Sequence, residues 1–95
     1  MFPLVPYGSS MSPRLVEVPL DPERVRVGAT LRALREKSGL RVAEMANALL
    51  ISYSYLSNIE AGRKPLTPVL LAKAAGVLDV PQVAIAKPEL TADAA

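Results

Sequence analysis

Residues 40–62 read LRVAEMANALLISYSYLSNIEAG, and how this stretch divides decides the fold. Val42, Met45, Ala46 and Leu49 recur at three- and four-residue spacing, which puts them on one side of a helix. Leu56 and Ile59 repeat that spacing after Ser52, whose side-chain oxygen can accept an unpaired amide at a helix start. The segments lie so close together that only a tight turn fits between them. The reading is helix, turn, helix. Ala43 and Ala46 are small enough to let the two axes approach, with Leu49, Ile51, Leu56 and Ile59 as the core between them. The outer face of the second helix is unusual for so short an element. Ser52, Tyr53, Ser54, Tyr55, Ser57 and Asn58 give it hydroxyls, phenols and an amide, with no charge before Glu60. Such groups hydrogen-bond without a fixed charge, which suits a surface that must match another surface.

Outward from this stretch the helical pattern continues. Val27, Leu31 and Leu34 form one stripe from about Val25 to Ser38, and Gly39 follows as a C-terminal cap because it adopts left-handed geometry cheaply. Thr67-Pro68 opens a fourth helix, with Thr as the cap and Pro at the first position, where its missing N–H costs nothing. Leu70, Leu71, Ala74, Val77 and Leu78 form its expected inner face. A short fifth helix is expected near Pro81 to Ala86, placing Val83 and Ile85. The fold class is all-α, five helices with short links. Residues 1–24 carry five of the nine prolines and form an extended proline-rich arm, with 14–18 as an edge strand or simple extended chain. Residues 25–86 form the folded domain, and 87–95 a flexible tail.

Composition narrows the chemistry. The 95 residues are 51% hydrophobic but only 4% aromatic, so one small aliphatic core is expected. With neither Cys nor His, disulfides, thiolate nucleophiles, imidazole bases and the usual zinc sites are excluded. No apolar run is long enough to span a bilayer, and MFPLVPYGSS lacks a basic start and has Pro3 and Pro6 in its apolar part. A cytoplasmic protein without a signal peptide or membrane contact is the expectation.

Charge is unevenly distributed. Residues 24–64 hold eight basic groups (Arg24, Arg26, Arg32, Arg35, Lys37, Arg41, Arg63, Lys64) against Glu36, Glu44 and Glu60. The rest of the chain is net acidic, so the formal +2 of the whole conceals a basic centre suited to a polyanion.

The segments LRALREKSGL, RVAEMA and SYSYLSNIEAGRKP together resemble the helix-turn-helix family of the lambda repressor, Cro and Xre regulators, over about Val27 to Val80. The resemblance implies a five-helix lambda-repressor-like domain whose third helix, 53–61, lies in the major groove of double-stranded DNA. By position it implies Tyr53, Ser54, Ser57 and Asn58 as base-reading residues. Asn58 suits adenine, whose N6 and N7 form a donor–acceptor pair. Phosphate contacts are expected from Arg41, Ser52, Tyr55, Arg63 and Lys64, together with backbone N–H groups at the starts of helices two and three. For Tyr55, a ring packed against helix two or four is an equal alternative. Arg35 and Glu60 match an ion pair joining helix one to the third helix.

Four positions depart from the family. Arg41 and Val42 stand where a capping residue and a phosphate-binding Gln are usual, Leu50 replaces the turn Gly, and Asp79 replaces a Gly after helix four. A left-handed Leu50 would cost about 1–2 kcal/mol. The function expected is a sequence-specific transcriptional regulator, a repressor of phage or bacterial type, acting as a homodimer without cofactor or small-molecule ligand. Val80, Val83 and Ile85 are the preferred self-association patch, with pairing of the 14–18 arm as the alternative. The alternative function is a protein-interaction module such as an antitoxin or antirepressor. No nucleophile–base pair, glycine-rich phosphate loop or pair of acids in an identifiable pocket supports an enzyme.

Overall fold

The computed structural model of the chain describes residues 20–87. Residues 1–19, including the segment 14–18 expected as an edge strand or simple extended chain, and residues 88–95 of the expected tail lie outside the described residues. Five helices and no strand make up the rest: α1 Pro22–Lys37, α2 Val42–Leu49, α3 Tyr53–Glu60, α4 Pro68–Leu78 and α5 Gln82–Ala86. None of them is long and apolar enough to cross a membrane.

α1 begins three residues before the apolar stripe does. Asp21 accepts from the N–H of Glu23 at 2.8 Å and Pro22 takes the first helical position, so a proline counted against helix becomes the helix start. Ser52 caps α3 and Thr67 caps α4 in the same way, accepting from Tyr55 N–H at 3.0 Å and Leu70 N–H at 3.3 Å. At α2 the expected gap is real, since an arginine side chain has no acceptor. The structure closes it from the other side: Glu44 reaches back and accepts the N–H of Arg41 at 2.8 Å. α3 ends at Glu60, with Ala61 rather than Gly62 as its terminal cap.

Four of the five helices end alike. A left-handed residue follows the last turn: Gly39 (φ 78°), Leu50 (φ 61°), Gly62 (φ 85°) and Asp79 (φ 57°). The next N–H then returns to a carbonyl of the helix just finished. Leu40 reaches Arg35 at 3.1 Å, Ile51 reaches Ala46 at 3.0 Å, Arg63 reaches Asn58 at 2.9 Å and Val80 reaches Ala75 at 3.0 Å. This closure satisfies carbonyls that a helix end otherwise leaves without partners. Leu50 therefore keeps the turn geometry usual for glycine.

The core draws on every helix. Leu31 of α1, Met45 and Leu49 of α2, Leu56 and Ile59 of α3, Leu70 and Leu78 of α4 and Ile85 of α5 are all buried. α1 packs on α3 and α5, α2 on α3 and α4, and α4 on α5. Three expectations change. Ala43 is exposed, and Ala46 alone provides the close contact on α2. On α4, Val77 is exposed and Ala75 is buried instead, beside Leu70, Ala74 and Leu78 on the inner face. Ile85 has no exposed surface, so it belongs to the core and drops out of the expected self-association patch, of which Val80 and Val83 remain partly exposed.

Candidate nucleic-acid interface

α3 is held at a fixed height by α1. Gly28 is buried where the two helices cross, and a Cβ there would overlap the carbonyl oxygen of Ile59 and lie 2.7 Å from that of Glu60. No other residue type fits this backbone contact. Further along α1, Arg35 grips Glu60 with two bonds, Nε to Oε2 at 2.7 Å and Nη2 to Oε1 at 3.1 Å. Both side chains are 7% exposed, and Arg35 Nη1 also donates to the carbonyl of Leu40 at 2.7 Å. The bonds that Arg35 donates to Glu60 raise its pKa, outweighing the burial that lowers it. A buried pair of this kind adds little net stability, but removing either partner alone leaves an uncompensated charge and is costly. The expected Arg35–Glu60 pair thus ties α1, α3 and the α1–α2 link together.

With Leu56 and Ile59 directed into the core, the opposite face of α3 is left outside. Tyr53 is 59% exposed, Ser54 is exposed, and Ser57 and Asn58 are half-buried beside them. The four expected base readers therefore share one face. Tyr55 is half-buried and packs against the core, so its ring follows the packing alternative. Ser52 is exposed at the start of this face. Its oxygen caps Tyr55 N–H, while its hydroxyl hydrogen remains available to a second acceptor.

The two helix starts differ electrostatically. α3 has no acid in its first turn, so its positive end is uncompensated. α2 has Glu44 at its start, and that carboxylate both accepts the Arg41 N–H and lies 3.5 Å from Arg41 Nη2. The bond from Arg41 N–H holds the Glu44 pKa below its ordinary value, with desolvation opposing. An anion approaching α2 therefore meets a site that already holds one.

Pairing also reshapes the basic centre. Arg26 pairs with Glu23 at 2.7 Å, Arg32 with Glu36 at 3.1 Å and Arg35 with Glu60 at 2.7 Å. Arg63 and Lys64 are exposed and, among the described residues, have no carboxylate within ion-pair distance. They sit in the loop that closes the end of α3. Arg63 Nε also donates to Asn58 Oδ1 at 2.8 Å, a contact with no signal in the sequence. Gly28 and Glu44 were legible in principle, as a glycine inside an apolar helical stripe and as an acid three residues after a helix cap. A shallow cleft of about 210 Å³ lies beside the ion pair, lined by Arg32, Arg35, Val42, Ser57, Glu60 and Ala61.

This arrangement of a half-exposed polar helix after a tight turn has known counterparts. Residues 26–87 match the family described as the helix-turn-helix domain. The chain belongs to the helix-turn-helix domain family. Among solved structures, the helix-turn-helix chain is similar to the clp gene regulator ClgR from Corynebacterium glutamicum, at 34% identity and a TM-score of 0.65 over 68% of this chain and 84% of that one. It is also similar to the restriction-modification controller protein C.AhdI from Aeromonas hydrophila, at 29% identity and a TM-score of 0.63 over 65% of this chain and 94% of that one. A third likeness is to SinR, a master regulator for biofilm formation solved in complex with DNA. There the identity is 28% and the TM-score 0.58, over 62% of this chain and 95% of that one. No curated protein matches the sequence. The five-helix, lambda-repressor-like helix-turn-helix fold is that of regulators rather than of enzymes.

Proposed function

We propose that this helix-turn-helix chain is a DNA-binding transcriptional regulator that reads base edges in the major groove with the outer face of α3. The observation that carries it is the combination at α3: an uncharged hydrogen-bonding face of Tyr53, Ser54, Ser57 and Asn58, bordered by Arg63 and Lys64 with no acid paired to either among the described residues. Likeness to regulators, one of them solved with DNA, supports the same reading. The roles divide by chemistry. Amide and hydroxyl groups on α3 read bases. Lys64, the outer nitrogens of Arg63, the Ser52 hydroxyl and the N–H groups opening α3 hold phosphates. Arg41, exposed at the start of α2, adds attraction there, offset by Glu44. The action is repression, and the functional unit is a homodimer whose two α3 helices meet successive major grooves about 34 Å apart.

Selection of bound duplexes from a random pool, followed by titration across salt, tests this. With about four phosphates neutralised per half-site, log K against log salt should fall with a slope near about −3.6. Lys64→Ala should flatten it by about 1 and weaken all sequences alike. A slope near zero would remove DNA as the principal ligand and favour a protein-binding module of the antitoxin or antirepressor kind.

A further inference from the structure

At three of the four helix ends closed by a left-handed residue, the residue that returns its N–H is apolar: Leu40, Ile51 and Val80. All three are half-buried against the core, as is usual for the residue at this place. At the end of α3 the place belongs to Arg63, which is exposed. Its N–H meets the carbonyl of Asn58 at 2.9 Å, and its Nε donates to Oδ1 of the same residue at 2.8 Å. The N–H of Lys64 reaches that carbonyl as well, at 3.2 Å. The turn thus delivers a guanidinium to a base-reading amide, where the other helix ends place a hydrophobic contact.

We propose that Arg63 is a positioning residue that sets the base preference of α3 by fixing the carboxamide of Asn58. The proposal rests on α3 being the base-reading helix. A guanidinium carries five donors and no acceptor, so the amide atom facing it has to be oxygen. The amino group of Asn58 is then directed away from Arg63, and one lone pair of the oxygen remains. Adenine offers an N7 acceptor beside an N6 donor in the major groove, whereas guanine offers two acceptors. An amide held in one orientation presents its donor and acceptor in a fixed order and separates these two purines. An amide free to turn over discriminates less well. Arg63 uses Nε for this bond, which leaves its outer nitrogens for a phosphate. One side chain thereby links backbone contact to base reading.

Arg63→Lys separates the two tasks, because lysine keeps the charge but lacks the planar fork. The probes are the duplex that the wild-type chain selects from a random pool, and the same duplex changed at the base pair whose preference Asn58→Ala relaxes. A scrambled duplex is the third. Arg63→Lys should keep the salt slope, since the charge remains, and its own binding to the scrambled duplex is the reference from which its preference is read. It should lose about tenfold in preference between the first two duplexes, in the range expected of a bidentate base contact. Asn58→Ala should cost less preference in the Arg63→Lys background than it costs the wild-type chain, because part of the amide's discrimination is already gone. Retained preference in Arg63→Lys, or independent losses in the double variant, would overturn the proposal. A second readout needs no DNA. In the free chain the Arg63 Nε–H resonance should exchange slowly with solvent and lose that protection in Asn58→Ala; equal exchange in both would overturn the bond itself. A wild-type chain that selects no sequence overturns base reading by α3, and this proposal with it, even where the Nε–H signal responds.

Discussion

Leu50 carries a β-carbon at φ 61° and is 82% exposed, so it bears left-handed strain and gains little burial in return. Left-handed geometry costs an ordinary residue about 1–2 kcal/mol, while glycine loses more chain entropy on folding, about 0.5–1 kcal/mol relative to alanine. Leu50→Gly should therefore stabilise the domain by about 0.5–1 kcal/mol, read as a higher urea midpoint with unchanged slope. A lower midpoint would mean that Leu50 contributes packing the structure does not show. Single residues were legible in the sequence where their chemistry acts locally. Thr67 with Pro68, Ser52 and Gly39 announced their helix ends because capping and left-handed backbone depend on one residue type. The Arg63–Asn58 bond was not legible, because it depends on how a turn returns the chain on itself.

Among the elements, the position of α3 depends on its contacts with α1. Glu60→Ala would leave the buried Arg35 guanidinium with Glu36, 3.9 Å away, and the Leu40 carbonyl. Removing one member of a buried pair costs about 3–5 kcal/mol, whereas replacing both by apolar residues of similar size costs far less. Urea unfolding should thus show a large loss for Glu60→Ala and a much smaller one for Arg35→Met with Glu60→Leu. Equal losses would place the cost in packing rather than in the uncompensated charge. α2 depends on a different acid. The Arg41 N–H holds the Glu44 carboxyl below the ordinary glutamate value. Its contribution is therefore complete above that ordinary value and is lost as pH falls through the lower folded one. Thermal melts from about pH 6 downward should fall less steeply for Glu44→Gln, which accepts the same N–H without titrating. Parallel curves would remove the carboxylate from the cap. The helices themselves were legible from spacing, apart from their faces. Val77 and Ala75 exchange sides and Ala43 turns outward, because small and β-branched apolar residues fit either side until neighbouring helices decide.

For the whole molecule, the count of basic residues in the sequence overstated the cationic surface. Four acids neutralise part of it in pairs with Arg26, Arg32, Arg35 and Arg41, and the charge left beside α3 comes from Arg63 and Lys64. The core was legible because its aliphatic residues recur at helical spacing, yet Ile85 was counted as surface and lies inside. Sequence spacing gives no distance between α5 and α1, and that contact decides whether the last helix is a lid on the core or a free patch. Everything functional turns on whether the outer face of α3 distinguishes base pairs. The decisive experiment compares binding of wild type and Asn58→Ala to the duplex selected by wild type and to a scrambled one. Asn58→Ala should lose about 1–3 kcal/mol on the selected duplex, with relaxed preference at one base pair per half-site and unchanged binding to the scrambled duplex. Wild-type preference at every position in Asn58→Ala would contradict base reading by this face.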